Sequence, residues 1–232
     1  MKHESVGYVI FDSVFGNTEQ IVRSIGGRMA EKKRIIAIIT PPILIAFMYP
    51  IFHLLAAAFV DRIAWYLGLV IYWLIWGAVF PLFIIGKENI KTLIRPQKPN
   101  RKVLLLVAIP LLLTAIVRFI PGMEYEKESV WILFLLISTT LGNGFFEEVL
   151  WRGVYVKLFP NNIFYRMIWP SFWFAIWHYV PGSVLHENVI GLIGLMVGSG
   201  MMGLYLSYLT KKTNTLWWSI VTHFLGGIIM IV

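Results

Sequence analysis

The chain has no cysteine, which excludes disulfide cross-links and thiolate metal sites and leaves the redox compartment open. Aspartate is nearly as scarce. Asp12 and Asp61 are the only two, and neither sits near the middle of an apolar run, so the paired buried aspartates of an aspartyl protease are excluded. Charged residues make up 14% of the 232 positions, against about a quarter in an ordinary soluble domain, while 58% are hydrophobic. That shortage of charge identifies an integral membrane protein. The net charge of +8 is no sign of a nucleic-acid partner, because Lys and Arg fall between apolar runs, where they set topology.

Those apolar runs number seven, at about 35–60, 63–85, 103–120, 130–159, 164–181, 188–209 and 215–232, most of them near the length that crosses about 30 Å of hydrocarbon. The implied fold is an all-α polytopic bundle of about seven transmembrane helices behind a short extension. The fourth run is too long to stand upright, so it is expected to tilt or to break near Gly142 and Gly144. With the N-terminus inside, fifteen Lys and Arg flank the inner ends and three the outer, Arg62, Arg118 and Lys127. A cytoplasmic N-terminus and an external C-terminus follow, in what is expected to be a prokaryotic cell membrane. The first long apolar run starts too late for a cleavable signal peptide. In the sixth run, Gly194 and Gly198 have the spacing that lets helix backbones approach, and packing within the chain is the expected use.

Residues 1–34 read differently. Tyr8 to Ser13 has the look of a short strand, Val14 to Thr18 of a turn, and Glu19 to Met29 of an amphipathic helix. This resembles the opening of a flavodoxin, whose first loop wraps a flavin phosphate. The further strands of such a sheet are missing before residue 35, so the stretch is expected to be a remnant that is not an autonomous domain and binds no FMN. Residues 35–232 form the membrane domain.

The stretch Gly142-Asn143-Gly144-Phe145-Phe146-Glu147-Glu148-Val149-Leu150-Trp151-Arg152 places two carboxylates and a guanidinium inside an apolar span. An ionisable group at the bilayer centre costs at least about 2.5–3.5 kcal/mol, so such a group reads as functional, with a partner to be found. On a helix, Glu148 and Arg152 share a face and can pair, while Glu147 is turned about 100° away and is left over to act on a proton. Phe174 and His178 are also four apart, so the ring can orient the imidazole. At about 1.5 Å per residue from the inner end of each run, Glu147 lies about 18 Å deep, His178 about 21 Å and His223 about 12 Å, roughly one layer. Amide hydrolysis needs an activated water, a proton for the leaving amine and a donor near the developing oxyanion. One Glu and two His can supply these, or can bind zinc with a position open for water.

Glu147-Glu148-x-x-x-Arg152, Phe174-x-x-x-His178 and His223 after Thr213-Asn214-Thr215-Leu216-Trp217-Trp218-Ser219 resemble, in order, the motifs of the CPBP intramembrane proteases, also called the Abi or type II CAAX prenyl endopeptidase family. The likeness spans about residues 100–232, with core motifs in 142–227. It implies cleavage of prenylated CAAX-type or bacteriocin-like peptides at the bilayer. It further implies that Glu147 and His178 activate water, that Glu148 and Arg152 support the site, and that His223 helps bind the oxyanion. Either a zinc ion held by Glu147, His178 and His223 or a metal-free glutamate mechanism is compatible with it. One position departs: the family usually has Asn or Asp four residues after the last His, and Gly227 stands there, which motivates a rival reading as a catalytically silent scaffold or regulator.

Other chemistries fit less well. His186-Glu187 lacks the second His of a zinc-protease helix and is expected to be structural. Ser199 with His223 would make a serine protease, but small residues there are explained by packing. A proton-coupled transporter through Glu147 has no inverted repeat to support it. The Trp residues, among them Trp73 and Trp177, read as interfacial or packing aromatics.

Overall fold

The computed structural model describes residues 18–119, 130–185 and 188–231. These residues contain no strand and form eight helices. They are α1 (Thr18–Ala58), α2 (Asp61–Ile84), α3 (Lys87–Leu93), α4 (Arg101–Arg118), α5 (Val130–Leu158), α6 (164–183), α7 (Val189–Thr213) and α8 (Trp217–Ile231). Two compact units divide the chain, Met1–Ile36 and Ala37–Val232. The strand expected at 8–13 and the turn after it lie outside the described residues, as do the acidic segment around Glu124 to Glu128 and the His186-Glu187 pair. The helix expected over 19–29 is present as the first part of α1.

Among the described residues, four helices are long and apolar enough to cross a membrane: α1 from Gly27, α2, α5 and α7. In this integral membrane bundle the other three expected runs form helices that are charged at the ends, interrupted or short. Helix α4 is only 18 residues long and carries Arg101, Lys102 and Arg118 at its ends. Helix α6 is interrupted at His178, between Trp169–Trp177 and Tyr179–Ser183. Helix α8 is apolar but has 15 residues. The long fourth run does not break at Gly142 and Gly144. It stays helical and loosens into i→i+5 winding over Asn143–Glu147 and Val149–Val154.

The core lies between α1, α2, α5 and α6. Leu44, Met48 and Phe52 of α1 meet Leu69, Tyr72 and Trp73 of α2, Leu150, Trp151 and Val154 of α5, and Phe174, Trp177 and Val180 of α6. Many outward side chains, such as Leu105, Leu112 and Ile190, are equally apolar and exposed, as expected where the surrounding solvent is lipid.

Prolines inside these helices leave carbonyls without their i+4 donor, and an apolar surrounding gives them no water to turn to. Two are answered by tyrosine. Pro41 deprives the Ala37 carbonyl, and the Tyr155 hydroxyl donates to it at 2.8 Å. Pro110 deprives the Leu106 carbonyl, and Tyr205 donates to that one at 2.6 Å. Each bond ties α5 or α7 to a helix far away in sequence.

Glycines set the close approaches. A Cβ on Gly203 would lie 3.2 Å from Ser171 and Phe174, and one on Gly200 would lie 3.0 Å from Ala175, so α7 packs on α6 through this pair. Gly194 and Gly198, the pair singled out by spacing, have no described atom within 4 Å of such a Cβ. The expected packing within the chain is therefore not made at this pair among the described residues. Packing of α7 shifts toward its second half, where Gly203, Leu206 and Ser207 are buried.

Candidate active site

The site is built on the loosened middle of α5. Gly142 lets the Trp73 indole of α2 approach to 2.5 Å from where a Cβ would stand, and Gly144 does the same for Phe224 and Ile220 of α8 at 3.2–3.3 Å. Pressed between two helices and wound more loosely, this segment aims consecutive side chains inward that a regular α-helix would spread around its circumference. Glu147, Glu148 and Arg152 are accordingly 1%, 0% and 1% exposed.

Charges buried this deeply must answer one another. Arg152 Nη1 lies 3.1 Å from Glu148 Oε1, the i,i+4 pair expected from spacing, and the guanidinium carbon sits 4.3 Å over the Phe174 ring. Glu148 Oε1 also meets His223 Nδ1 at 2.9 Å. A carboxylate beside a guanidinium accepts, so the hydrogen of that bond is on Nδ1. The other ring nitrogen, Nε2, is 3.7 Å from Glu147 Oε2. Three of the expected side chains thus meet across α5 and α8, with His223 18% exposed and Glu147 behind it.

Glu147 has a further partner that its spacing did not reveal. Trp177 Nε1 donates to Glu147 Oε1 at 3.1 Å. The Trp177 ring is stacked on Tyr72 at 4.0 Å, and Tyr72 accepts a hydrogen bond from Trp151 Nε1 at 2.8 Å. Trp177 was expected to be a packing aromatic. It is that and also the donor that orients the carboxylate. Trp73 likewise donates, to Asn143 Oδ1 at 2.9 Å. The position of Trp177 next to His178 was the only hint in the sequence, and nothing there pointed to Tyr72.

His178 enters from α6, at the interruption of that helix. Its Nδ1 is 2.7 Å from the Phe174 carbonyl, which can only accept, so Nδ1 carries the hydrogen and Nε2 keeps its lone pair. The Phe174 ring touches both imidazoles edge to face, with centroids 4.5 Å from His178 and 6.3 Å from His223. His178 is thus held at the shared aromatic wall, and no described hydrogen bond or ion pair joins it to Glu147.

Several buried polar atoms here lack a hydrogen-bond partner among the described residues: Glu147 Oε2, Glu148 Oε2, and Nη1 and Nη2 of Arg152, whose contact to Glu148 is ionic rather than directed. Such a concentration of unsatisfied groups is unusual in a native interior and marks a place where a polar guest belongs. Among the described residues, no group of three or more His, Asp or Glu side chains is placed to hold a metal ion. As arranged, His223 is engaged by the two carboxylates instead. Ser199 makes no described contact with His223, so the serine–histidine pairing does not form.

Gly227 is explained by packing. A Cβ there would lie 2.6 Å from Thr140 Cγ2 and 2.9 Å from Thr140 Cβ, so its face of α8 is pressed onto α5. An Asn or Asp side chain has no room at that position while Thr140 opposes it.

Residues 129–229 match the family model described as type II CAAX prenyl endopeptidase Rce1-like, a segment that includes Glu147, Glu148, Arg152, Phe174, His178 and His223 and excludes the flavodoxin-like opening. No curated protein and no solved structure matches the chain. Buried acid pair, partnered arginine and two histidines within this segment agree with the match, and residues 129–229 are similar to an Rce1-like domain, in keeping with the CPBP family of membrane proteases.

Proposed function

We propose that the protein is an intramembrane endopeptidase that hydrolyses peptide bonds of membrane-associated substrates, prenylated CAAX-type or bacteriocin-like, through a water activated by Glu147 and the histidines. The observation that carries the reading is the 3.7 Å separation of Glu147 Oε2 and His223 Nε2. It is longer than a hydrogen bond and short enough for one water to touch both atoms at about 2.8 Å. Trp177 fixes the other oxygen of Glu147, so Oε2 is the one directed at the water.

In this reaction Glu147 Oε2 takes a proton from the water while His178 Nε2 accepts a hydrogen bond from its second hydrogen. The oxygen adds to the scissile carbonyl carbon, and the carbonyl oxygen takes the negative charge beside His223. Collapse of the tetrahedral intermediate breaks the C–N bond. The proton held by Glu147 passes to the leaving nitrogen, giving an acid and an amine. Glu148 and Arg152 keep His223 in place throughout.

This mechanism routes no step through a metal, in line with the lack of a three-ligand set among the described residues. The rival reading, a catalytically silent membrane scaffold, is favoured by the loss of a side-chain donor at Gly227. Purified protein incubated with a quenched, membrane-anchored CAAX peptide separates the two. Cleavage lost in Glu147→Ala and His178→Ala supports the protease, and equal product from wild type and both variants supports the scaffold.

A further inference from the structure

Oxyanion stabilisation rarely rests on a single donor, and removal of one costs about 10²–10³ in rate. Around Glu147 the obvious donors are already committed. Trp177 Nε1 donates to Glu147 itself, and His223 Nδ1 to Glu148. Arg152 has free hydrogens but is 1% exposed and roofed by the Phe174 ring at 4.3 Å, which blocks a peptide carbonyl from reaching it. Position 227 is closed by Thr140.

Asn143 remains. Four residues of α-type winding return a side chain to within about 40° of the same direction, and the looser turn over Asn143–Glu147 keeps it on that side, so Asn143 and Glu147 share a helix side about 5–6 Å apart at Cβ. The amide is oriented. An indole N–H can only donate, so the 2.9 Å bond from Trp73 fixes Oδ1 toward α2 and turns the NH₂ group away from it. That bond is the one side-chain hydrogen bond Asn143 makes among the described residues, and its two amide hydrogens are unused. The residue is only half-buried, unlike Arg152, so a substrate can reach it. Gly142 and Gly144 on either side admit Trp73 and Phe224, the neighbour of His223, so Asn143 sits where α2, α5 and α8 converge.

We infer that Asn143, oriented by Trp73, is the second oxyanion donor of the site and takes the part that an amide or acid at position 227 would otherwise play. The inference rests on the protease reading. In it, His223 carries a hydrogen on each ring nitrogen, Nδ1 toward Glu148 and Nε2 toward the substrate, so the carbonyl oxygen receives one hydrogen bond from His223 Nε2 and one from Asn143 Nδ2 as it becomes negative, and both are stronger in the transition state than in the bound substrate.

The test is steady-state cleavage of an anchored CAAX peptide by the full chain in detergent, alongside thermal melting. Asn143→Leu keeps the branched shape and removes the donor, together with the acceptor of Trp73. Expected is a fall in kcat of about 10²–10³ with KM within about threefold and only a small drop in melting temperature, the cost of the Trp73 N–H that loses its acceptor. Trp73→Phe, which frees the amide to rotate, is expected to lose about tenfold in kcat by the same logic. Adding Thr140→Ala with Gly227→Asn to Asn143→Leu makes room for a donor on α8 and is expected to recover at least about tenfold in kcat. An Asn143→Leu enzyme within about threefold of wild-type kcat, while Glu147→Gln is inactive, overturns the role of Asn143 and leaves the protease reading standing. Parallel loss of melting temperature and kcat, with no recovery in the triple variant, also overturns it, because the residue is then structural. Absence of cleavage by wild type overturns the protease reading and this inference with it.

Discussion

The Tyr155 hydroxyl donates to the Ala37 carbonyl at 2.8 Å, the carbonyl that Pro41 leaves without a helical donor. Tyr205 does the same for Leu106, freed by Pro110. Removing either hydroxyl strands a carbonyl, buried at Ala37 and partly buried at Leu106, in an apolar surrounding, which costs about 1–3 kcal/mol. Tyr155→Phe and Tyr205→Phe are expected to melt earlier by that amount. Tyr155→Phe with Pro41→Ala, which restores the helical N–H, is expected to recover most of the loss. Detergent melting curves of the variants measure this directly.

Trp177 serves Glu147 through one atom, Nε1, and serves the core through its ring on Tyr72. Trp177→Phe keeps an aromatic ring at that place and removes the donor. The expected outcome is a fall in kcat of about tenfold or more with a small loss of stability, since a carboxylate no longer fixed at one oxygen points its other oxygen less well. A loss in stability alone, with kcat intact, would assign Trp177 to packing.

Glu148 and Arg152 form a buried pair from which neither partner can be removed safely. Arg152→Met leaves Glu148 buried beside His223 without its cation, and breaking such a pair costs about 3–5 kcal/mol. The double variant Glu148→Leu with Arg152→Met removes both charges and is expected to be more stable than Arg152→Met alone, yet inactive, because His223 loses its anchor. Melting and cleavage assays on the two proteins read both effects.

Position 227 tests the packing account by itself. Gly227→Ala forces a Cβ to within 2.6 Å of Thr140 Cγ2, and overpacking of this kind costs about 1–3 kcal/mol. Combining it with Thr140→Ala is expected to return the melting temperature close to that of wild type.

The metal question has its own measurement. Cleavage that survives prolonged treatment with a strong chelator agrees with the mechanism proposed above. Cleavage lost to the chelator and restored by zinc would move Glu147 and the histidines into a ligand role, which needs a rearrangement of the His223 contacts seen here.

How much of this was legible in the sequence depended on distance along the chain. The Glu148–Arg152 pair was readable because four residues of helix bring the two side chains together, and loosened winding did not undo it. Helicity and membrane character were readable from composition. Not legible were the interruption of α6 at His178 and the shortness of α8, neither of which changes local hydropathy. Glu147–His223 joins residues far apart, so only the ordered motifs hinted at it. Trp177 to Glu147, Trp73 to Asn143 and Tyr155 to Ala37 are tertiary contacts with no periodic trace. Gly194 and Gly198 misled for the opposite reason: their spacing permits close helix packing, but no described partner lies opposite.

The central claim is that Glu147, held by Trp177 and facing His223, makes a water nucleophilic inside the bundle. The most direct test compares initial cleavage rates of an anchored CAAX peptide by wild type and by Glu147→Gln, which keeps shape and the acceptor for Trp177 while removing the base. A loss of about 10³-fold or more, with an unchanged melting temperature, is the predicted result. Equal rates for the two proteins would contradict it.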